Sequence, residues 1–209
     1  MTKIQSSFLI DSARYFRFFV GADPCSMGTS LNTRGDSAMT TILQLNNSIF
    51  GDNGQSSRLA DQFVAKRCEV EPDARIIRRD LAADPVDHLT AERFSAALTA
   101  SQERTPEQAR EAAQADTLIE ELQAADEVVI AAPTYNFNVA STLKAWFDHV
   151  ARAGTTFRYT SQGPEGLLSG QTAYVFITSG GQYAGTTIDF QKPYIEHFLG
   201  FLGIGDVHF

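Results

Sequence analysis

The sequence lacks the features that point to membranes, disulfide scaffolds or nucleic acid. Its 209 residues hold only two cysteines, Cys25 and Cys68, which have no metal-binding spacing and are too few for a disulfide framework, so we expect a reducing cytoplasmic setting. No apolar run approaches the ~18 residues of a membrane helix. With 17 Lys and Arg against 25 Asp and Glu, the chain lacks the basic surplus that binding a phosphate backbone requires.

Several catalytic and nucleotide-binding motifs are also missing. The sequence has no G-x-x-x-x-G-K-[ST], which disfavours a nucleoside triphosphate as ligand. It has no G-x-G-x-x-G after its first predicted strand, so the dinucleotide fingerprint is absent as well. No acid pair, nucleophile triad or metal-ligand cluster is visible. We therefore expect neither catalytic side chains nor a metal site.

Residues 1–38 differ in character from the rest of the chain. The stretch 21–38 is rich in Gly, Ser, Thr, Asn and Asp, which is typical of a linker, and Met39 follows it directly. We interpret residues 1–38 as an extension outside the fold, with Met39 as an alternative first residue, and residues 39–209 as the folded domain. The alternative is an N-terminal arm whose aromatic residues pack on that domain.

From Thr40 onward, short apolar runs alternate with helical periodicity. The pattern predicts strands at 41–45, 74–81, 127–132 and 172–178 and the opening of a fifth at 206–209. It predicts helices capped by Ser56 or Ser57, at 90–98, at 105–124, at 141–153 and at 188–202. Such alternation predicts an α/β fold, a doubly wound parallel sheet with helices on both faces. Ligands of such sheets bind beyond the carboxyl ends of the strands, which directs attention to three loops.

The first loop, residues 46–57, is dense in hydroxyls, amides and glycines and leads into a helix. Free backbone N–H groups and the positive end of a helix suit an oxyanion. Because the loop contains no Lys, a single phosphate monoester fits better than a polyphosphate. The alternative is a polar turn followed by a helix cap.

Two further loops complete the predicted ligand edge. Residues 133–138 combine two aromatic side chains with two amides, a surface that suits a planar heteroaromatic ring. The alternative is that these aromatics only cover the sheet edge. Residues 178–183 contain Gly180 and Gly181, which allow a ligand to approach the backbone closely.

Four segments carry a resemblance to a known family. They are Asn-Asn-Ser-Ile at 46–49, Gly-Gln-Ser-Ser-Arg-Leu at 54–59, Ala-Ala-Pro-Thr-Tyr-Asn-Phe-Asn at 131–138, and a segment at 143–160 that ends in Phe-Arg-Tyr-Thr. With Gly-Pro-Glu-Gly-Leu-Leu downstream, they resemble the FMN-dependent NADH azoreductase and quinone reductase family, which has a flavodoxin-like fold. The resemblance covers residues 40–209.

The resemblance implies a cytoplasmic, homodimeric flavoenzyme with tightly but non-covalently bound FMN. NADH would give a hydride to the flavin, and a quinone or azo compound would then take two electrons in a ping-pong reaction. By motif, the residues implied are Ser48, Gly54, Gln55 and Ser56 for the FMN phosphate, Thr134, Tyr135, Asn136 and Phe137 beside the isoalloxazine ring, and Thr178, Ser179, Gly180 and Gly181 along its other polar edge. Phe137 and Tyr159 would shape the substrate pocket, with Tyr159 reaching across a dimer interface.

The chain departs from the family in several places. The family often has Ser where this chain has Gly54, Met where Thr134 stands and Arg where Ser179 stands, so we expect the loss of one hydroxyl donor in the first loop. The family also continues strand five and adds a final helix, so we expect a truncated C-terminal strand and helix. Two alternatives stay open: a non-enzymatic flavodoxin-type electron carrier, and an inactive flavin-free fragment.

Overall fold

A five-stranded parallel sheet forms the centre of residues 39–209, the part of the chain that the computed structural model describes. The predicted extension, residues 1–38, lies outside the described residues. The strands are β1 (Thr41–Asn46), β2 (Arg75–Asp80), β3 (Glu127–Pro133), β4 (Phe157–Thr160), β5 (Gly163–Gly166), β6 (Thr172–Thr178) and β7 (Asp206–His208). The sheet has the order β2-β1-β3-β6-β7, and all its pairs are parallel.

Five α-helices connect and cover these strands within the described residues. They are α1 (Gln55–Val70), α2 (Ala91–Leu98), α3 (Pro106–Ala124), α4 (Ser141–Val150) and α5 (Gln191–Leu202). The start of α3 follows its sequence signal, because Thr105 and Gln108 form a reciprocal capping box and Pro106 occupies the first turn. The predicted strand and helix alternation is confirmed, with shorter ends on α4 and α5 than the pattern indicated.

Both faces of the sheet are covered, as predicted. On β3, Val129 and Ala131 point to one face and pack with Ala60 and Val64 of α1. Alternate residues of the same strand, such as Ile130, point to the opposite face and pack with α3, α4 and α5. Every residue of β3 is buried, which explains why this strand reads as a continuous apolar run.

One element was not predicted: an antiparallel hairpin made of β4 and β5. It interrupts the chain between α4 and β6, where an alternating strand and helix pattern has no place for it. Its end packs closely on the chain after α5, since a Cβ on Gly166 would lie 2.1 Å from the backbone nitrogen of Gly203. A glycine at 166 is therefore required for this contact.

The fifth strand of the sheet is short. β7 spans three residues and pairs in parallel with 172–174 of β6, so the predicted strand opening is confirmed. None of the helices described in residues 39–209 has both the length and the apolar character needed to span a bilayer.

Candidate functional site

The three loops singled out in the sequence meet at one edge of the sheet. They follow β1, β3 and β6, which are adjacent parallel strands and therefore end at the same edge. The chain order also reverses between β1 and β3, since β1 leads outward to β2 and β3 leads the other way to β6. In doubly wound sheets this switch point forms the ligand crevice.

In the first loop, the start of α1 lacks a side-chain cap. The prediction that Ser56 or Ser57 caps this helix is wrong: the helix begins at Gln55, and Gly54 is its N-cap without a side-chain hydrogen bond. The first intrahelical bond runs from the Arg58 N–H to the Gly54 carbonyl at 3.0 Å. The N–H groups before it have no intrahelical acceptor, so they offer donors to an anion.

Two buried serine hydroxyls lie at the same helix start. Ser56 and Ser57 are completely buried, and among residues 39–209 their Oγ atoms have no hydrogen-bond partner. Buried hydroxyls without partners are costly, and their presence commonly marks a ligand or ordered water. The feature therefore favours the predicted oxyanion site over a simple turn.

Ser48 faces this helix start from the end of β1. It is 2% exposed, and its Oγ accepts the Phe50 N–H at 3.2 Å. Gly54 is buried against it, which brings Ser48 next to the free N–H groups of α1. Gln55, by contrast, is exposed.

The second loop turns back on itself in an unusual backbone conformation. Tyr135 and Asn138 exchange both backbone hydrogen bonds, at 2.9 and 3.1 Å. Between them Asn136 and Phe137 have φ values of 48° and 68°, the left-handed region that bulky residues rarely adopt. Strained backbone of this kind concentrates at binding sites. Here it projects Phe137 from the sheet edge with 51% of its surface exposed.

Hydrogen bonds join the three loops to one another. The Tyr135 hydroxyl oxygen accepts the Ile49 N–H at 3.1 Å and lies 3.5 Å from Ser48 Oγ, which links the second loop to the first. The Thr134 N–H donates to the Thr178 carbonyl at 2.7 Å, which links the second loop to the third. The edge is thus one connected surface.

A cavity of about 590 Å³ opens between the second and third loops. Four of the predicted residues line it: Thr134, Phe137, Ser179 and Gly181. Tyr183 also lines it, with its ring 5.8 Å from that of Phe137. The rest of the wall comes from Val175 and Ile177 of β6, from the segment 182–192 with the charged side chains of Asp189 and Lys192, and from Phe209. The other predicted residues of these loops, Tyr135, Asn136, Thr178 and Gly180, flank the lining residues in the chain.

Tyr159 lies elsewhere in the single chain. It is on the hairpin strand β4, 76% exposed, and it lines a separate cavity of about 240 Å³ together with Phe94 and Leu98. Phe137 instead lines the 590 Å³ cavity. Its role across a dimer interface stays a prediction.

Three buried polar residues at this edge were not among the predicted site residues. Asn47 and Ser57 each have a side-chain oxygen without a partner among residues 39–209, and both stand in the first loop, where the density of polar residues was the available signal. The third, Gln191, is the first residue of α5 and lines the 590 Å³ cavity. Nothing in its local sequence distinguishes it.

Comparison with known proteins agrees with this geometry. A sequence profile of the flavodoxin-like fold matches residues 40–209. The chain belongs to the flavodoxin-like family. A protein of Cellvibrio japonicus named FMN-dependent NADH:quinone oxidoreductase is 46% identical over 82% of this chain and 86% of its own length. A Burkholderia lata protein named FMN-dependent NADH:quinone oxidoreductase 6 is 49% identical with the same coverage.

Solved structures show the same flavodoxin-like arrangement. An azoreductase from Bacillus anthracis superposes with a TM-score of 0.74 at 25% identity, covering 81% of this chain and 85% of that one. A second Bacillus anthracis structure, an FMN-dependent NADH-azoreductase in complex with FMN, superposes with a TM-score of 0.73 at 27% identity and the same coverage. The predicted α/β fold and the predicted family are both confirmed.

Proposed function

We propose that this chain is an FMN-dependent NADH oxidoreductase that reduces quinones or azo compounds. The observation that carries the proposal is the connected loop edge. At one end it has hydroxyls and N–H groups without partners among the described residues, and at the other it has an aromatic-lined cavity. The names of relatives that are 46% and 49% identical support the donor, the cofactor and the acceptor class.

The residues at the start of α1 fit a phosphate monoester. Ser48, Ser56 and the backbone N–H groups after Gly54 supply donors, and the positive end of a 16-residue helix adds a favourable field. Ser57 adds a hydroxyl that has no partner among the described residues. No cation stands in the loop from 46 to 57, so the site is suited to one phosphate group held by neutral donors.

The second and third loops fit a planar ring. Thr134, Tyr135, Asn136 and Phe137 follow β3, while Thr178, Ser179, Gly180 and Gly181 stand at the end of the neighbouring strand β6 and in the loop after it. When bound, FMN supplies the hydride acceptance from NADH and the two-electron transfer to the substrate. The side chains of the chain itself bind and orient the ring and exclude water from it. None of them is required as an acid, a base or a nucleophile.

The names of the relatives favour an enzyme over an electron carrier, because both are called NADH:quinone oxidoreductases. The 590 Å³ cavity reaches the exposed ring of Phe137. It has the size typical of small-molecule sites. We therefore propose a flat quinone or azo compound as substrate, packed on the exposed ring of Phe137.

We also propose that the functional unit is a homodimer in which Tyr159 completes the partner's site. Tyr159, Leu98, Phe94 and Leu89 are exposed or partly exposed large side chains around one cavity. Such a group favours burial at an interface. Sedimentation equilibrium should give twice the chain mass, and Tyr159→Ala should raise the KM for quinone while FMN stays bound. A monomer that is fully active would contradict the dimer proposal.

We further propose that residues 39–209 form the FMN-binding domain, with residues 1–38 as an extension, and that the enzyme works in the cytoplasm. The family match begins at residue 40, and Cys68 has no disulfide partner within residues 39–209, which suits a reducing compartment. Removing residues 1–38 should leave the FMN Kd unchanged. Localisation of the tagged full chain would test the compartment.

The deciding experiment is a visible spectrum followed by steady-state kinetics. The purified full chain is incubated with FMN, freed of excess and scanned. A retained flavin band with quinone-dependent NADH oxidation supports the proposal, and parallel lines in double-reciprocal plots support the ping-pong order. A retained band without NADH oxidation would indicate an electron carrier, and a colourless protein would indicate a flavin-free fragment.

A further inference from the structure

Gln191 is buried in the wall of the cavity and holds Thr134. It is 3% exposed and stands at the first position of α5. Its Nε2 donates to the Ala132 carbonyl at 2.9 Å, and its Oε1 is hydrogen-bonded to Thr134 Oγ1. Gln191 and Thr134 both line the 590 Å³ cavity.

The direction of both hydrogen bonds follows from chemistry. A backbone carbonyl can only accept, so the side-chain NH₂ group of Gln191 must face Ala132. The amide oxygen is then left for Thr134, and since that oxygen carries no hydrogen, the Thr134 hydroxyl must be the donor. The reversed amide would place two carbonyl oxygens against each other and leave Gln191 without the Ala132 bond.

The Thr134 hydroxyl therefore presents only lone pairs to the cavity. A free hydroxyl rotates to donate or to accept as its neighbour demands. Here its single hydrogen is engaged by Gln191, so a ligand group that needs a donor finds none at this atom. A ligand N–H or O–H, in contrast, meets an acceptor that is already oriented, which lowers the entropy lost on binding.

We infer that Gln191 is a positioning residue that holds Thr134 as a hydrogen-bond acceptor for an N–H group of the bound FMN ring. This inference rests on the proposed function and identifies one hydrogen bond by which that site would recognise the FMN ring. The role of Gln191 toward the ring is exerted through Thr134 alone.

The test compares FMN dissociation constants of four variants by quenching of FMN fluorescence. Thr134→Val should weaken binding about fivefold, as expected for one neutral hydrogen bond, while Thr134→Ser should stay within about twofold of wild type. Gln191→Met should weaken binding about threefold, because the hydroxyl then samples three rotor positions. Gln123→Met is the matched control, since Gln123 is exposed on α3, lies outside the lining of this cavity and should leave the Kd unchanged.

The double variant separates a positioning role from a purely structural one. If Gln191 acts through Thr134, Gln191→Met adds nothing to the FMN Kd once Thr134→Val is present. Thermal unfolding of the FMN-free protein tests the hydrogen bond between Gln191 and Thr134 itself. The effects of Gln191→Met and Thr134→Val on the free energy of unfolding should also be non-additive. Additive effects in both measurements would overturn the inference.

The sign of the Gln191→Met effect is decisive. Weaker FMN binding supports an acceptor role, whereas tighter binding would mean that the ring needs a donor from Thr134 and would overturn the inference. An unchanged Kd in either Gln191→Met or Thr134→Val would overturn it as well. A wild-type chain that binds no FMN would refute the proposed function and this contact together, so the two failures are distinguishable.

Discussion

Gly54 lies so close to Ser48 that no side chain fits between them. A Cβ on Gly54 would be 2.2 Å from Ser48 Oγ and 2.4 Å from Ser48 Cβ. The family resemblance had suggested that Gly54 costs the first loop a hydroxyl donor. In this chain the glycine instead allows the buried Ser48 to approach the start of α1.

Gly54→Ala should therefore displace Ser48 from the helix start. We expect the free energy of unfolding to fall by about 1–3 kcal/mol, as for overpacking of a filled site, and the FMN Kd to rise about tenfold or more. Chemical denaturation and FMN titration measure the two effects. Gly205→Ala is the control, because a Cβ there meets no atom within 4 Å. An unaltered FMN Kd would show that Ser48 does not contact the phosphate.

Ser57→Ala should weaken FMN binding without lowering the stability of the FMN-free protein. The Ser57 hydroxyl is buried without a partner in residues 39–209, so its removal should leave the FMN-free protein as stable as before or about 0.5–1 kcal/mol more stable. If the hydroxyl binds the FMN phosphate, the same change should weaken FMN binding about fivefold. Isothermal titration and thermal unfolding without FMN test this pair of expectations. A variant that loses stability but keeps its FMN affinity would assign Ser57 to the fold alone.

Two substitutions at Phe137 should distinguish backbone strain from ring contact. Phe137→Ala removes the ring but keeps a side chain at φ 68°, while Phe137→Gly also removes the strain. Both should raise the KM for quinone, since the exposed ring is lost. The glycine variant should be about 1 kcal/mol more stable than the alanine variant, because the left-handed conformation costs about that much for a residue with a Cβ. Equal unfolding free energies would mean that this turn relaxes without the ring.

Asp116 should control stability at neutral pH. It pairs with Arg104 and Arg152, whose side chains are 7% and 10% exposed. Burial by itself would raise the pKa of Asp116, but hydrogen bonds from the two guanidinium groups outweigh it and lower the pKa below its ordinary value of 3.8. Asp116→Asn should cost about 2–4 kcal/mol at pH 7, because two buried cations then lose their counter-ion.

The pH dependence of this loss has a defined sign. A carboxylate whose pKa is lowered on folding stabilises the protein above its unfolded pKa, and that contribution disappears as the pH falls through the folded pKa. The difference between wild type and Asp116→Asn should thus shrink below pH ~4. Glu69→Gln is the control, since its pair with Lys66 is exposed and should contribute at most about 1 kcal/mol. A constant difference down to pH 2 would contradict the assignment.

The alternation of the central-sheet strands with helices and the location of the ligand edge follow from the sequence alone. Three signals are local in the sequence: the apolar run of β3, the capping box of α3 and the polar loop after β1. Each of them depends on residues that are close together in the chain. Because parallel strands end at one edge, these local signals were enough to bring the three loops together. The family resemblance predicted FMN and NADH as ligands. The polar residues near Ser48 predicted where the phosphate group binds.

Other features depended on contacts between residues far apart in the chain. The β4–β5 hairpin packs on the end of α5, the Tyr135 hydroxyl accepts the Ile49 N–H across 86 positions, and Gln191 reaches Thr134 across 57 positions. Hydrophobic periodicity predicts which face of a helix or strand is buried. It does not predict which polar groups form hydrogen bonds with each other. The fold was therefore readable from the sequence, whereas the hydrogen-bonding character of the site was decided by tertiary packing.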